Sequence, residues 1–101
     1  MKTNPESFVE ALARIHLPAV FNPYSERCRE HDRVDAAQRR RRNLVLCLEA
    51  ALAARVDTMW IARDLGYRGG RRTGVPLTDE VHLNRAGAFF GSIPLQRATR
   101  G

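Results

Sequence analysis

A short apolar segment, residues 56–62, constrains the fold of this chain more than any other stretch. It reads VDTMWIA, and it follows a long helical pattern and precedes a glycine-rich turn. A short apolar run in such a position is typical of a buried parallel strand. We therefore expect an α/β fold, a partial three-layer α/β/α sandwich in which helices flank a short parallel sheet.

Two helices are predicted before this segment. Residues 6–16 carry apolar side chains at helical spacing, with Asn4 as the N-cap and a proline in the first turn. Residues 36–55 form the longest predicted helix, with leucine and alanine recurring on one face. Asp35 and Gln38 have the spacing of a capping box at its start.

Four consecutive arginines, residues 39–42, lie at the start of the long helix. At about 100° per residue they cannot share one face, so some point to solvent and others extend along the edge of the core. Phosphate contact is the alternative interpretation. In the connection before this helix, Phe21 and Tyr24 either pack on the core or lie at the mouth of a cleft.

Charge and composition narrow the function classes. The chain has 101 residues and a net charge of +6, and all its basic residues except Lys2 are arginine. A hydrophobic content of 44% excludes a disordered tail, and no apolar run approaches the roughly 18 residues of a membrane helix. The excess of positive charge favours a polyanionic partner, most commonly nucleic acid. The alternative is an arginine-rich composition that only solubilises a small scaffold protein.

The cysteines and the chain length predict the redox setting, the absence of a metal site and the number of domains. Cys28 and Cys47 are too few for a disulfide scaffold, which favours a reducing, cytoplasmic setting. Cys28 and His31 have ligand-like spacing, but a structural zinc site usually needs four ligands, so no metal and no cofactor is expected. We expect residues 1–101 to form a single domain.

The turn after the predicted strand, residues 63–78, is the candidate site because ligands bind at the carboxyl ends of strands in open α/β sheets. Its glycines let the backbone approach a ligand closely, and its arginines suit phosphate. The spacing matches neither a Walker A loop nor a dinucleotide-binding fingerprint. Asp64, the carboxylate among these arginines, is either a salt-bridged loop residue or a group that positions water. Thr78 is predicted to cap a further helix that ends at Gly91.

The stretch VDTMWIARDLGYRGGRRTGVPLTDE resembles the first motif region of the uracil-DNA glycosylase superfamily. The upstream stretch FNPYSERCREHD and the arginine-rich helix are similar to bacterial members that carry Gly-Tyr-Arg-Gly. The resemblance covers residues 20–98. It implies an α/β/α sandwich, base flipping and hydrolysis of the N-glycosidic bond of uracil in DNA, as in base-excision repair.

The resemblance also implies roles for individual residues. Asp64 matches a water-positioning aspartate and is the candidate catalytic residue. The candidate base pocket consists of Leu65, Gly66, Tyr67 and Leu77, and the candidate DNA-binding residues are Arg63, Arg68, Arg71 and Arg72.

The chain departs from the family's pattern in three places. Leu65 stands where proline is usual, and Leu77 where an aromatic residue is frequent. No histidine-containing second motif follows Thr78, so the chain resembles the N-terminal half of such an enzyme. The sequence therefore leaves two functions open: a glycosylase, or a non-catalytic nucleic-acid-binding or scaffold protein with an incomplete active site.

Overall fold

The computed structural model describes residues 4–58 and 66–100. The helices of these residues are α1 (Pro5–Ala13), α2 (Ala36–Ala53), α3 (Gly70–Thr73) and α4 (Leu83–Phe89), with a 3₁₀ turn at Glu80–His82 before α4. Within the described residues, extended segments pair at an isolated antiparallel bridge between Asp32 and Thr99.

The expected α/β sandwich is wrong for the described part of the chain, which is 46% helix and 2% strand and contains no sheet. Residues 56–58, the described start of the predicted strand, are irregular, and Val56 is 64% exposed. Residues 59–62 lie outside the described residues. A parallel strand needs a hydrogen-bonded neighbour, and a short apolar run alone does not reveal whether the rest of the chain supplies one.

Helix α1 begins as predicted. Asn4 and Ser7 form a reciprocal capping box, in which the Ser7 backbone N–H donates to Asn4 Oδ1 at 2.8 Å and the Asn4 N–H donates to Ser7 Oγ at 3.2 Å. The helix ends before the predicted residue 16. The Asn22 side-chain amide donates to the carbonyls of Leu12 and Ile15 at 2.8 and 2.9 Å, which satisfies backbone acceptors at this end.

The start of α2 differs from the prediction. Asp35 is the N-cap residue but makes no side-chain capping hydrogen bond, so the predicted capping box with Gln38 is wrong. Its carboxylate instead accepts from Arg39 Nε at 2.9 and 3.0 Å. An arginine one turn along the helix therefore takes the carboxylate that would have capped the backbone.

The apolar core lies between α1 and α2. Its buried members are Val9, Tyr24, Leu44 and Val45. The later part of the chain is attached differently, because the segment around Ala98 pairs with the loop before α2. The Arg33 N–H donates to the Ala98 carbonyl at 2.9 Å, and the Arg100 N–H donates to the His31 carbonyl at 2.7 Å.

The helix predicted after Thr78 exists, but its start is different. Asp79, rather than Thr78, is the cap, and its carboxylate accepts from the His82 backbone N–H at 2.9 Å. The first turn is 3₁₀, and α4 then ends at Phe89, just before Gly91 with its positive φ of 95°. The prediction of Gly91 as the stop is confirmed to within two residues.

Candidate nucleic-acid interface

Arg40 and Asp32 form a buried ion pair. Arg40 Nη2 is 2.6 Å from Asp32 Oδ1, and both side chains are 0% exposed. The other Arg40 donors reach backbone carbonyls: Nε donates to Arg72 at 3.0 Å, and Nη1 donates to Pro23 and Glu26 at 3.3 Å each. One arginine of the 39–42 run therefore joins α2 to two other backbone segments, the loop at residues 23–26 and α3 at Arg72. The sequence had predicted that these arginines are solvated, lie along the core edge or contact phosphate.

Asp32, the partner of Arg40, accepts two further hydrogen bonds. Its Oδ2 accepts from the Cys28 N–H at 2.9 Å, and its backbone carbonyl accepts from Arg100 Nε at 3.0 Å. Burial alone would raise the pKa of Asp32, but the hydrogen bonds from Arg40 and Cys28 and the charges of Arg40 and Arg71 outweigh it and lower the pKa. The carboxylate is therefore ionised at neutral pH and balances the buried guanidinium.

Asn43 lies one turn further along the same face of α2. Its side-chain amide donates to the Thr73 carbonyl at 2.8 Å and to the Gln96 carbonyl at 2.7 Å. Its Oδ1 accepts from the Gln96 N–H at 2.8 Å, so both amide hydrogens and the oxygen are used. We call Asp32, Arg40 and Asn43 the polar clamp, because they attach both α3 and the C-terminal segment to α2.

Gly74 fits where other residues would not. Its φ is 79°, and an added Cβ would lie 2.7 Å from the Cβ of Arg40. Its carbonyl accepts from the Tyr24 hydroxyl at 2.7 Å. Burial raises the pKa of Tyr24 to about 12, so this hydroxyl keeps its proton at neutral pH. The packing of Tyr24 on the core is confirmed, since it is 8% exposed.

The polar clamp and Gly74 hold a turn that carries three of the predicted DNA-binding arginines. The Arg71 guanidinium lies over the Phe21 ring, 4.1 Å from its centroid, and Arg71 Nη1 is 3.8 Å from Asp32 Oδ1. Arg68 and Arg72 lie 6.0 and 5.5 Å from the centroid of the Tyr67 ring. These are cation–π distances, and they restrict where the guanidinium groups can lie. We call Arg68, Arg71 and Arg72 the arginine surface.

The remaining predicted site residues are either exposed or outside the described part of the chain. Asp64, Arg63 and Leu65 lie outside the described residues. Gly66 and Tyr67 are exposed, Tyr67 by 69%. Leu77 is 72% exposed and lines an open cleft beside α4 that also includes the His82 and Phe89 side chains.

The sequence reasoning missed the polar clamp. Arg40 and Asn43 are three residues apart, and Leu44 and Cys47 follow at helical spacing on the buried side of α2. A buried helix face that contains arginine and asparagine was the available signal, because such side chains are rarely enclosed without carbonyl or carboxylate partners.

Among residues 4–58 and 66–100, no group of three or more His, Cys, Asp or Glu side chains is placed to hold a metal ion. Cys28 and Cys47 are free thiols, and burial raises the pKa of Cys47 to about 11, which keeps that thiol protonated. The described helices include none with the length and apolarity needed to cross a bilayer.

Comparisons of the chain with protein-family models, with curated proteins and with solved structures found no match.

Proposed function

We propose that this protein binds DNA through the arginine surface, as a uracil-DNA glycosylase-like protein of base-excision repair. The observation that carries the proposal is the fixed position of Arg71, between the Phe21 ring at 4.1 Å and the Asp32 carboxylate at 3.8 Å. Because the guanidinium is already held in place, binding a phosphate costs less side-chain entropy than it would for a free arginine.

The surroundings of the arginine surface support a polyanionic partner. The backbone of α3 is attached to α2 through Arg40 and Asn43, so its arginines project from a fixed turn. Arginine forms bidentate hydrogen bonds with phosphate oxygens, and each phosphate that it neutralises releases counterions. A net charge of +6 adds long-range attraction.

The catalytic half of the proposal is hydrolysis of the N-glycosidic bond of a flipped uracil, with Asp64 positioning the attacking water. Its support is the sequence resemblance over residues 56–80. Leu65, Gly66, Tyr67 and Leu77 would line the base pocket. The exposed ring of Tyr67 is suited to stacking, which contributes about 1–3 kcal/mol per base. A cytoplasmic location accompanies this proposal, in keeping with two free thiols.

A non-catalytic DNA-binding protein is the second candidate. The observation in its favour is that Phe21, the polar clamp and Tyr24 hold Arg71 and α3 in place for binding. Binding could then occur without hydrolysis.

One experiment separates these candidates. A fluorescent duplex with a single uracil is titrated with the chain over a series of salt concentrations, and uracil release is measured in the same samples. We expect binding that weakens with salt, loss of binding in the triple variant Arg68→Ala, Arg71→Ala, Arg72→Ala, and loss of uracil release alone in Asp64→Asn. Binding without release supports the second candidate, and no binding at low salt contradicts both.

A further inference from the structure

A small cleft lies where the loop before α2, the end of α3 and the C-terminal segment meet. It has a volume of about 250 Å³ and is lined by Glu30, His31, Arg72, Thr99 and Arg100. Three of these side chains carry, or on protonation gain, positive charge. The cleft shares Arg72 with the arginine surface, and the remaining lining residues were not among the predicted site residues.

Arg100 is held in this cleft by its own backbone and side chain. Its N–H donates to the His31 carbonyl at 2.7 Å, and its Nε donates to the Asp32 carbonyl at 3.0 Å. The neighbouring Thr99 pairs with Asp32 in the antiparallel bridge. The hydrogen bond from Nε restricts the orientation of the Arg100 guanidinium, which belongs to a residue that lines the cleft.

Arg72 is fixed through its carbonyl, which accepts from Arg40 Nε at 3.0 Å. Its side chain takes no part in that bond, and its guanidinium lies 5.5 Å from the Tyr67 ring centroid. Arg40 thus binds the backbone of Arg72, and the backbone carbonyl of its partner Asp32 accepts from the Arg100 side chain. Guanidinium groups bind the oxygens of a tetrahedral oxyanion through charge-assisted, often bidentate hydrogen bonds.

The other lining groups define which ligand suits the cleft. The Thr99 hydroxyl is committed to the Glu80 carboxylate at 2.6 Å, which leaves recognition to the cations. Glu30 lies 3.6 Å from His31 Nε2 and is 84% exposed, so solvent weakens its repulsion of a bound anion but does not abolish it. A cleft of about 250 Å³ is smaller than a typical pocket for a drug-sized ligand but admits a phosphate group.

We propose that this cleft is a phosphate-binding site, in which Arg72 and Arg100 bind the phosphate oxygens and His31 lies at the rim. The phosphate is either free or carried at a strand end or in the backbone of a nucleic acid. The inference goes beyond the proposed function, because inorganic phosphate tests it without any DNA.

The first test titrates the chain with inorganic phosphate at constant ionic strength, maintained with chloride, and follows the arginine Nε–H and histidine side-chain signals by NMR. We expect saturable shifts at Arg72, Arg100 and His31. Arg72→Gln and Arg100→Gln should each weaken phosphate binding by about tenfold or more, as expected for loss of a charge-assisted hydrogen bond. Arg85→Gln, an exposed arginine of α4, is the matched control and should leave binding unchanged.

Glu30→Gln provides an independent variant, because it changes an exposed side chain and should not affect folding. It removes the negative charge from the cleft and should strengthen phosphate binding. The absence of saturable shifts in the wild-type chain would overturn the proposal. So would equal phosphate affinities for Arg72→Gln, Arg100→Gln and Arg85→Gln, or no effect of Glu30→Gln.

A second pair of titrations identifies the source of the phosphate. Two duplexes of the same sequence, one with and one without a terminal 5′-phosphate, compete with inorganic phosphate for the cleft. Displacement only by the phosphorylated duplex assigns the cleft to strand ends, displacement by both assigns it to backbone phosphates, and displacement by neither assigns it to free phosphate. Phosphate binding without DNA binding would refute the proposed function alone, and DNA binding without phosphate shifts would refute this inference alone.

Discussion

Tyr24 donates its hydroxyl to the carbonyl of Gly74 at 2.7 Å, across 50 residues of sequence. The tyrosine ring belongs to the core between α1 and α2, and Gly74 ends the turn that carries the arginine surface. This hydrogen bond thus joins the core to the candidate site directly, and it is the first contact that we propose to test.

Replacing Tyr24 with phenylalanine should lower the free energy of unfolding by about 1–3 kcal/mol, because the buried Gly74 carbonyl loses its donor. Urea denaturation followed by circular dichroism measures this change. Tyr67→Phe is the matched control and should leave stability unchanged, since Tyr67 is 69% exposed. Equal stabilities for the two variants would contradict the role given to the Tyr24 hydroxyl.

Asp32→Asn should be among the most destabilising substitutions in the chain. It leaves the Arg40 guanidinium, which is 0% exposed, without a balancing charge, and such changes typically cost about 3–5 kcal/mol. Thermal denaturation measures the loss. Asp35→Asn removes an exposed carboxylate that is also paired with an arginine, and it should have little effect. A small effect of Asp32→Asn would mean that the buried pair is not formed in solution.

The same carboxylate predicts how stability depends on pH. Because the pKa of Asp32 is lower in the folded chain than in the unfolded chain, the unfolded chain binds the proton first as pH falls. The stabilisation from this group is fully present above about pH 4, the ordinary aspartate range, and is lost as pH falls through the lower folded pKa. Urea denaturation between pH 2 and 7 should show this acid-side loss. A free energy of unfolding that is independent of pH below 4 would contradict the prediction.

Gly74→Ala and Gly91→Ala form a pair that separates backbone strain from steric overlap. Both glycines have positive φ, 79° and 95°, so alanine is strained at either position, by about 1–2 kcal/mol. A Cβ at Gly91 would meet nothing within 4 Å, whereas at Gly74 it would lie 2.7 Å from Arg40. We expect Gly74→Ala to be clearly the more destabilising in thermal denaturation, and similar losses for both would argue against close packing on Arg40.

Phe21→Leu tests whether the position of Arg71 matters for DNA binding. Leucine keeps an apolar side chain but removes the ring that lies 4.1 Å from the guanidinium. DNA affinity should fall a few-fold with no change in the salt dependence. Arg71→Gln should instead reduce the slope of log K against log salt by about 0.9, as expected for one lost phosphate contact. An unchanged affinity in Phe21→Leu would show that the ring does not position Arg71 for binding.

The sequence predicted the parts of the fold that depend on local signals. Asn4 followed by Pro5 marked the start of α1, and the helical spacing of leucine and alanine marked α2. The predicted sheet failed because strand pairing depends on distant segments, which a short apolar run does not identify.

The sequence predicted which arginines belong to the candidate site, but not the contacts that hold them in place. Arg71 and Arg72 were recognised from the glycine-rich, cationic turn. What fixes them was not predicted. The spacing of Arg40 to Asn43, Leu44 and Cys47 indicates the buried face of α2, but it does not identify the atoms that Arg40 contacts there. Arg40 donates to the backbone carbonyls of Pro23, Glu26 and Arg72. Every residue has a backbone carbonyl, so the side chains at these positions do not indicate that Arg40 binds there.

That use of main-chain acceptors has a consequence for how the protein can evolve. Arg40 recognises atoms that every amino acid possesses, so mutations at Glu26 or Arg72 alter the surface without removing any contact that Arg40 makes. Selection that changes the surface side chains, and with them ligand preference, therefore leaves the Arg40 hydrogen bonds and the fold intact. Drift or directed evolution can vary the exposed side chains of the turn while α2 continues to hold its backbone in place.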